Sequence, residues 1–229
     1  MILFKKIVVF TGAGISAESG LGTFRDVGGL WKKYNIEDVA TPEAFNKNPS
    51  LVLDFYNQRR KQLLKSKPNV AHLSLAKLQK KFNLVVITQN IDNLHERSGV
   101  KNIIHLHGKL TESRSTLDNK IYPINNSELN LGDLCSKGGQ LRPNVVWFGE
   151  DVPNMNNAID EVKSASIFII IGTSLNVYPA ANLINYCLKS QRIILIDPNP
   201  TRINGVEIFA KKATEFVPKL VDDLLSSNN

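Results

Sequence analysis

Four short, nearly unbroken apolar runs mark the chain, at residues 6–11, 84–88, 167–172 and 192–197. Consecutive Ile, Val, Leu and Phe over so few positions is what strands covered on both faces of a parallel sheet require. Two weaker strand candidates lie at 102–107 and 145–148. Between the runs, apolar residues recur at helical spacing over 50–66, 70–81, 155–164, 178–189 and 215–225. Strands alternating with helices predict an α/β fold, a doubly wound parallel sheet with helices on both faces. Two stretches, roughly 22–68 and 109–143, break that rhythm and predict a smaller inserted subdomain. Residues 1–229 then form a single domain whose core is drawn from about 1–21, 69–108 and 144–229.

The first run, Ile7-Val8-Val9-Phe10, leads directly into Gly12-Ala13-Gly14-Ile15-Ser16-Ala17. This is the Rossmann-like passage from a buried strand to a helix beside a phosphate. Gly12 permits the tight turn, Gly14 lets a pyrophosphate approach the backbone, and small Ala17 lets the helix pack on the strand. An ordinary glycine-rich turn reads the same way on these residues alone. A hydride-transferring dehydrogenase would place a second strand soon afterwards, ending in a ribose-binding acid roughly 20 residues on. Here the chain continues Gly22-Thr23-Phe24-Arg25-Asp26-Val27-Gly28-Gly29, and the next strong strand candidate is 84–88. Simple dehydrogenase chemistry is therefore disfavoured.

Composition narrows the classes further. The net charge of +7 comes from scattered pairs such as Lys5-Lys6, Lys32-Lys33, Lys80-Lys81 and Lys211-Lys212. No basic stripe with interleaved aromatics is present, so nucleic-acid binding is not expected. No apolar run approaches the ~20 residues of a membrane span. Met1 to Lys6 runs straight into the first strand, which leaves no room for a leader and predicts no membrane association. Two cysteines, Cys135 and Cys187, make no disulfide framework and point to a reducing, cytoplasmic setting.

Candidate chemistry gathers where strands end. After 84–88 come Gln89, Asn90, Ile91 and Asp92, at the carboxyl end where open α/β sheets bind ligands. Asp92 and Asn93 read equally well as a helix cap. His105-Leu106-His107-Gly108 ends the candidate at 102–107, and alternation would set both histidines on one side. A histidine there is either a satisfied structural donor or a proton-transfer group. Ile171-Gly172-Thr173-Ser174 repeats the strand-to-glycine turn, and Asp197, at the end of 192–197, is placed to hold a ribose hydroxyl. Three strand ends thus offer small or polar groups to one ligand.

Taken together, Gly12-Ala13-Gly14-Ile15-Ser16, Phe24-Arg25-Asp26, Thr88-Gln89-Asn90-Ile91-Asp92, His105-Leu106-His107-Gly108, the segment Leu141 to Glu150 and Gly172-Thr173-Ser174 resemble the sirtuins, NAD-dependent protein-lysine deacylases. The resemblance implies NAD as a consumed co-substrate held by Gly12, Ala13, Gly14, Ser16, Ala17, Gln89, Asn90, Ile91, Asp92, Gly172, Thr173, Ser174, Asp197, Asn199 and Ala213. Phe24, Arg25 and Asp26 would lie on a loop closing over it. Catalysis would fall to His107, as base toward a ribose hydroxyl, and to Asn90 in the nicotinamide pocket with Asp92. Val146, Trp147, Phe148 and Gly149 would border an acyl-lysine channel and pair with an extended peptide by strand addition. In this chemistry the acyl oxygen attacks the ribose carbon as nicotinamide leaves, giving free lysine and O-acyl-ADP-ribose. The implied partners are acylated-lysine proteins, and a monomer is expected.

The helix at 50–66 bears on which acyl group is taken. Leu51, Val52, Leu53, Phe55, Tyr56, Leu63 and Leu64 share one arc, and Asp54, Asn57, Gln58, Lys61 and Lys65 the other. Arg59 falls within the apolar arc, one turn from Tyr56. An inward guanidinium needs an anionic partner, either an acidic residue of the protein or a carboxylate on the substrate. Tyr56-x-x-Arg59 resembles the signature of sirtuins that remove succinyl and malonyl groups. The chain departs from the family where zinc is usually held. Ser113-Arg114-Ser115-Thr116 stands in place of one Cys-x-x-Cys pair, and Cys135 is followed by Gly138 in the other. One thiol does not make a four-ligand zinc site, so no zinc is expected. The second excursion would then be held by Ile121, Tyr122, Ile124, Leu129, Leu131 and Leu134. Two other outcomes stay open: mono-ADP-ribosyl transfer from the same co-substrate, or a non-catalytic NAD-sensing module.

Overall fold

A computed structural model describes residues 5–22, 34–124 and 128–227. Six parallel strands form the main sheet: β1 (Lys6–Thr11), β2 (Asn83–Thr88), β3 (Ile103–His105), β7 (Ile167–Ile171), β8 (Arg192–Ile196) and β9 (Glu207–Phe209). Their order is β3-β2-β1-β7-β8-β9. The four apolar runs of the sequence are the four central strands, because only central strands bury both faces. One face is covered by α5 (Val70–Lys77) and α8 (Ala213–Ser226), whose Leu75, Val217 and Val221 meet Ile7, Val9 and Ile169. The other is covered by α7 (Met155–Lys163) and a 3-10 segment, Ala180–Tyr186, packed on Val8, Phe10 and Phe168. The sheet is doubly wound as expected. None of the helices among the described residues is long and apolar enough to cross a membrane.

Beside the sheet stands a smaller lobe. It comprises α2 (Ile36–Val39), α3 (Pro42–Lys47), α4 (Pro49–Lys65) and an antiparallel sheet of β4 (Gly108–Ser115), β5 (Ile121–Pro123) and β6 (Leu141–Val145). Its core joins Val52, Phe55 and Tyr56 to Leu110, Leu129 and Trp147. Thr41 and Asn48 cap α3 and α4, each with proline at the following position, which pre-sets the first helical φ.

Several sequence expectations need correction. The helix at 178–189 is instead the 3-10 segment 180–186, and of the strand at 145–148 only Val145 is strand, as the last residue of β6. The runs at 167–172 and 192–197 stop one residue early; the first does so because Gly172 has φ +62°, outside the extended region. On α4, Leu64 is 63% exposed and Asn57 is buried, the reverse of the arc reading. In the second excursion Leu129 is buried, yet Ile121, Leu131 and Leu134 are exposed. Backbone hydrogen bonding by Asn57, described below, accounts for the amide's burial.

Candidate active site

The carboxyl ends of β1, β2, β7 and β8 open into one cleft of about 870 Å³. Two glycine turns are pressed together at its floor, the first opening α1 (Gly14–Ala17). Gly12 N–H donates to Ile171 O at 3.0 Å and Gly14 N–H to Gly172 O at 2.8 Å. A Cβ on Gly12 would lie 2.7 Å from Gly172 O, and one on Gly14 would lie 2.6 Å from Gly172 Cα. Neither position tolerates a side chain, so bare backbone faces the cleft. Asp197 accepts from Asn199 N–H at 2.8 Å at the rim, and Ala213 opens α8 there.

Asn90 sits at the end of β2. Its amide donates to Gly12 O at 3.0 Å and lies 3.3 Å from Ser16 Oγ, which fixes the side chain across the first turn. Asp92 is tied to the protein through both carboxylate oxygens. One carboxylate oxygen accepts from Leu94 N–H at 3.0 Å, capping α6 (Leu94–Arg97), and the other accepts from Ser16 Oγ at 2.9 Å. Burial pushes the Asp92 carboxyl up, against the pull of those two donors. Below this floor lie two buried imidazoles, His72 and His95, their rings 5.0 Å apart. His72 Nε2 is 3.5 Å from Ser16 Oγ, and burial lowers its pKa to about 4.

His105 and His107 part company. β3 ends at His105, so alternation does not carry on to His107. His105 meets the Glu96 carboxylate at 2.8 Å and the Asn90 carbonyl at 3.2 Å, a structural role. His107 Nδ1 lies 3.1 Å from the Gln89 carbonyl. A carbonyl only accepts, so Nδ1 carries the proton and the lone pair is left on Nε2. Burial lowers the His107 pKa, with the Gln89 bond opposing, so the ring is neutral near pH 7.

Next to the cleft is a second cavity of about 120 Å³, lined by Tyr56, Arg59, Ser16, Ile91 and Asp92. Ala13, Gln89, Asn90, His107 and Val146 line both spaces, which puts the imidazole at their junction. Burial raises Tyr56 to about 12, opposed by the nearby Arg59 charge, so the phenol keeps its proton. Arg59 is lowered by burial, with Tyr56 and Asp92 opposing. Gly12, Gly14, Ala17, Trp147, Phe148, Gly149, Gly172, Thr173, Ser174, Asp197, Asn199 and Ala213 all line the larger cleft. Every described residue assigned to catalysis, cofactor or substrate therefore borders one of two adjoining spaces, and His105 borders neither. Phe24, Arg25 and Asp26 lie outside the described residues.

The sequence pattern of the Sir2 family matches residues 12–179. The chain belongs to the Sir2 family. It is 52% identical to an NAD-dependent protein deacylase of Bacteroides thetaiotaomicron over 94% of this chain and 96% of that one. An NAD-dependent protein deacylase of Helicobacter pylori strain J99 is 48% identical over 95% and 96% of the two chains. Among solved structures, a Sir2 homologue in complex with NAD superposes with TM-score 0.88 at 39% identity, covering 97% of this chain and 90% of that one. A Sir2 complex with a p53 peptide and NAD superposes at 0.82 with 32% identity, over 98% and 95%. Ser115 Oγ lies 3.3 Å from the Cys135 thiol, and no cluster of three His, Cys, Asp or Glu side chains occurs among the described residues.

Sequence reasoning missed a charge cluster at the edge of the larger cleft. Arg114, Arg142 and Glu150 are joined by short ion pairs, and Arg142 lies against Trp147. The available signal was opposite charges bracketing the apolar stretch Val145-Val146-Trp147-Phe148.

Proposed function

We propose that this Sir2-family protein removes acyl groups, succinyl and malonyl among them and acetyl as well, from protein lysines while consuming NAD. The observation that carries the reading is His107 at the junction of a dinucleotide-sized cleft and a small cavity containing Tyr56 and Arg59. NAD fits the cleft on two counts: the side-chain-free floor at Gly12, Gly14 and Gly172, and Asp197 at the end of β8. When bound, NAD supplies a ribose carbon that loses nicotinamide to an incoming oxygen. The protein's own work is positional. Asn90 and Asp92 line the nicotinamide end, and Phe24, Arg25 and Asp26 are assigned to the covering loop. His107 Nε2 takes a proton from a ribose hydroxyl while Gln89 holds the ring. Val146, Trp147, Phe148 and Gly149 border the lysine channel. Arg59 forks onto the acyl carboxylate, and Tyr56 adds a hydroxyl donor.

Zinc does not fit. One thiol and a serine hydroxyl fall short of the four ligands of a closed site, so purified protein is expected to carry none. The reading has a cytoplasmic monomer acting on acylated proteins and not on nucleic acid.

The test is a set of peptides identical except for an acetyl, malonyl or succinyl lysine. Arg59→Met is expected to lower desuccinylation kcat/KM by about 100-fold, about 3 kcal/mol, while retaining much of any deacetylation. Parallel losses, or no change in either, would remove the assignment of Arg59. His107→Ala is expected to cost about 10²–10⁴ in rate on every acyl group. Because its base is neutral and its pKa is lowered, the acid limb of kcat/KM should fall below pH 6.5.

A further inference from the structure

At the edge of the larger cleft, whose lining includes Trp147 and Glu150, three charged side chains are locked around one turn. Glu150 Oε1 accepts from Arg114 at 2.7 Å and from Arg142 at 2.6 Å. Its Oε2 accepts from Arg142 at 3.0 Å and from the Trp147 backbone N–H at 2.8 Å. The turn depends on Gly149 at φ +90°, where a side chain would be strained. Arg142 also donates to Val145 O at 2.9 Å, and its guanidinium lies 3.3 Å from the centre of the Trp147 ring. Trp147 is thereby held at its backbone and across its ring face, with Phe45 5.4 Å away.

The indole then acts on Tyr56. Trp147 Nε1 and the Tyr56 hydroxyl are 2.9 Å apart. An indole N–H only donates, so the phenol oxygen accepts, and its own hydrogen must point elsewhere. Tyr56 borders the cavity that also contains Arg59. We infer that the Arg114–Glu150–Arg142 cluster, acting through Trp147, turns the Tyr56 hydroxyl into a donor aimed at the acyl group, making Glu150 and Arg142 positioning residues for acyl chains that carry an acceptor oxygen. This rests on the acidic-acyl reading above and adds the device that sets its selectivity. An acetyl group offers no oxygen beyond its amide carbonyl, so the aim of the hydroxyl matters little to it.

The experiment compares wild type, Glu150→Gln, Tyr56→Phe and the double variant on succinyl-lysine and acetyl-lysine peptides, with thermal unfolding as the folding control. Losing the aim of one neutral hydrogen bond should raise the succinyl KM of Glu150→Gln by about 5-fold and the acetyl KM by less than about 2-fold. In the Tyr56→Phe background the same change should leave the succinyl-to-acetyl ratio where it was, because the hydroxyl it acts through is gone. Equal effects on both peptides, no effect on either, or an unchanged Glu150→Gln effect in the Tyr56→Phe background would overturn the inference. If Glu150→Gln does not fold, Arg142→Lys, which keeps the charge and loses the fork, takes its place under the same criteria.

A wild type inactive on succinyl-lysine would instead defeat the acidic-acyl reading. The placement of the hydroxyl is then read from Trp147 emission in a Trp31→Phe background. A shift in both Glu150→Gln and Tyr56→Phe supports it, and an emission unmoved in either overturns it.

Discussion

The two sheets of this molecule are held together by different forces. The six-stranded sheet is an apolar layer: Ile7, Val9, Phe10, Phe168, Ile169 and Ile194 are fully buried, and their burial is its main stabilising term. The three-stranded sheet has few such residues, Leu110 and Val145 among them, and in the segment between β5 and β6 Leu129 is buried while Leu131 and Leu134 are exposed. It is tied instead by side chains that imitate backbone. Asn57 donates to Leu129 O at 3.1 Å and accepts from Leu129 N–H at 2.9 Å, while Arg60 bonds Leu110 O at 2.9 Å and Asn57 Oδ1 at 2.7 Å. Gln140 accepts from Gly132 N–H at 2.8 Å, and its amide reaches Asn130 O, Asp133 O and Leu141 O. A single hydrogen bond adds less net stability than burial of a large apolar side chain, so the smaller lobe should open locally before the large sheet does.

The sharpest break of the comparison is on the apolar side. Phe168 is fully buried, its ring centroid 6.5 Å from that of Phe10. Phe168→Ala should cost about 3–5 kcal/mol of global stability, through lost burial and the cavity left behind. Chemical denaturation should show the whole chain, including the lobe, unfolding earlier. A loss under about 1 kcal/mol would mean that the sheet is not the stabilising unit.

This difference in forces also governs what could be read from sequence. β1, β2, β7 and β8 were legible because a strand buried on both faces leaves a continuous apolar run. β4 was not. Its sequence Gly108-Lys109-Leu110-Thr111-Glu112-Ser113-Arg114-Ser115 is polar, and its pairing with β6 shifts register between Gly108 and Ser113, so no period of two survives. Asn57 was misplaced for the same reason: polarity predicts exposure, but a buried amide bonded to both groups of Leu129 is satisfied. At the site, Gly12, Gly14, Asn90 and His107 were legible because their partners are strand-end backbone. The contact of Trp147 with Tyr56 spans 91 residues, and no local pattern announces it.

Next in size is pH. His72 is buried, and desolvation brings its pKa from 6.5 to about 4. Below pH 6.5 the unfolded chain takes the proton first, so stability should fall steadily as pH drops from 6.5 toward about 4, by on the order of 3 kcal/mol from this group. The effect belongs to the large sheet's side, since His72 lies on α5. His72→Gln should flatten that part of the unfolding midpoint against pH. An unchanged slope would place the acid-sensitive group elsewhere, with buried His95 the first alternative, since burial lowers it too.

On the polar side, Asn57→Ala removes both bonds to Leu129 and the partner of Arg60 Nη1. The expected cost is about 1–3 kcal/mol, the range for stranding buried donors and acceptors. Its signature should be local: amide exchange faster across 129–145, with β1 and β7 protected as before. Uniform loss of protection would show that lobe and sheet unfold as one unit, and the comparison would then lose its force.

The smallest effect tests the lobe's apolar residues. Leu131 is 60% exposed, and Leu134 is exposed as well. If amides and not aliphatic packing hold this region, Leu131→Ser and Leu134→Ser should each change stability by no more than about 0.5 kcal/mol, as surface substitutions do. Gln140→Ala at the same turn should cost more than either, because it removes an acceptor for Gly132 N–H and a donor for three carbonyls. The ranking is the informative quantity: both leucines lie in the same short segment as Gln140, so a shared change in the unfolded state would move all three together. A leucine variant that outweighs Gln140→Ala would mean that the exposed face is covered in solution, and that apolar burial supports this lobe after all.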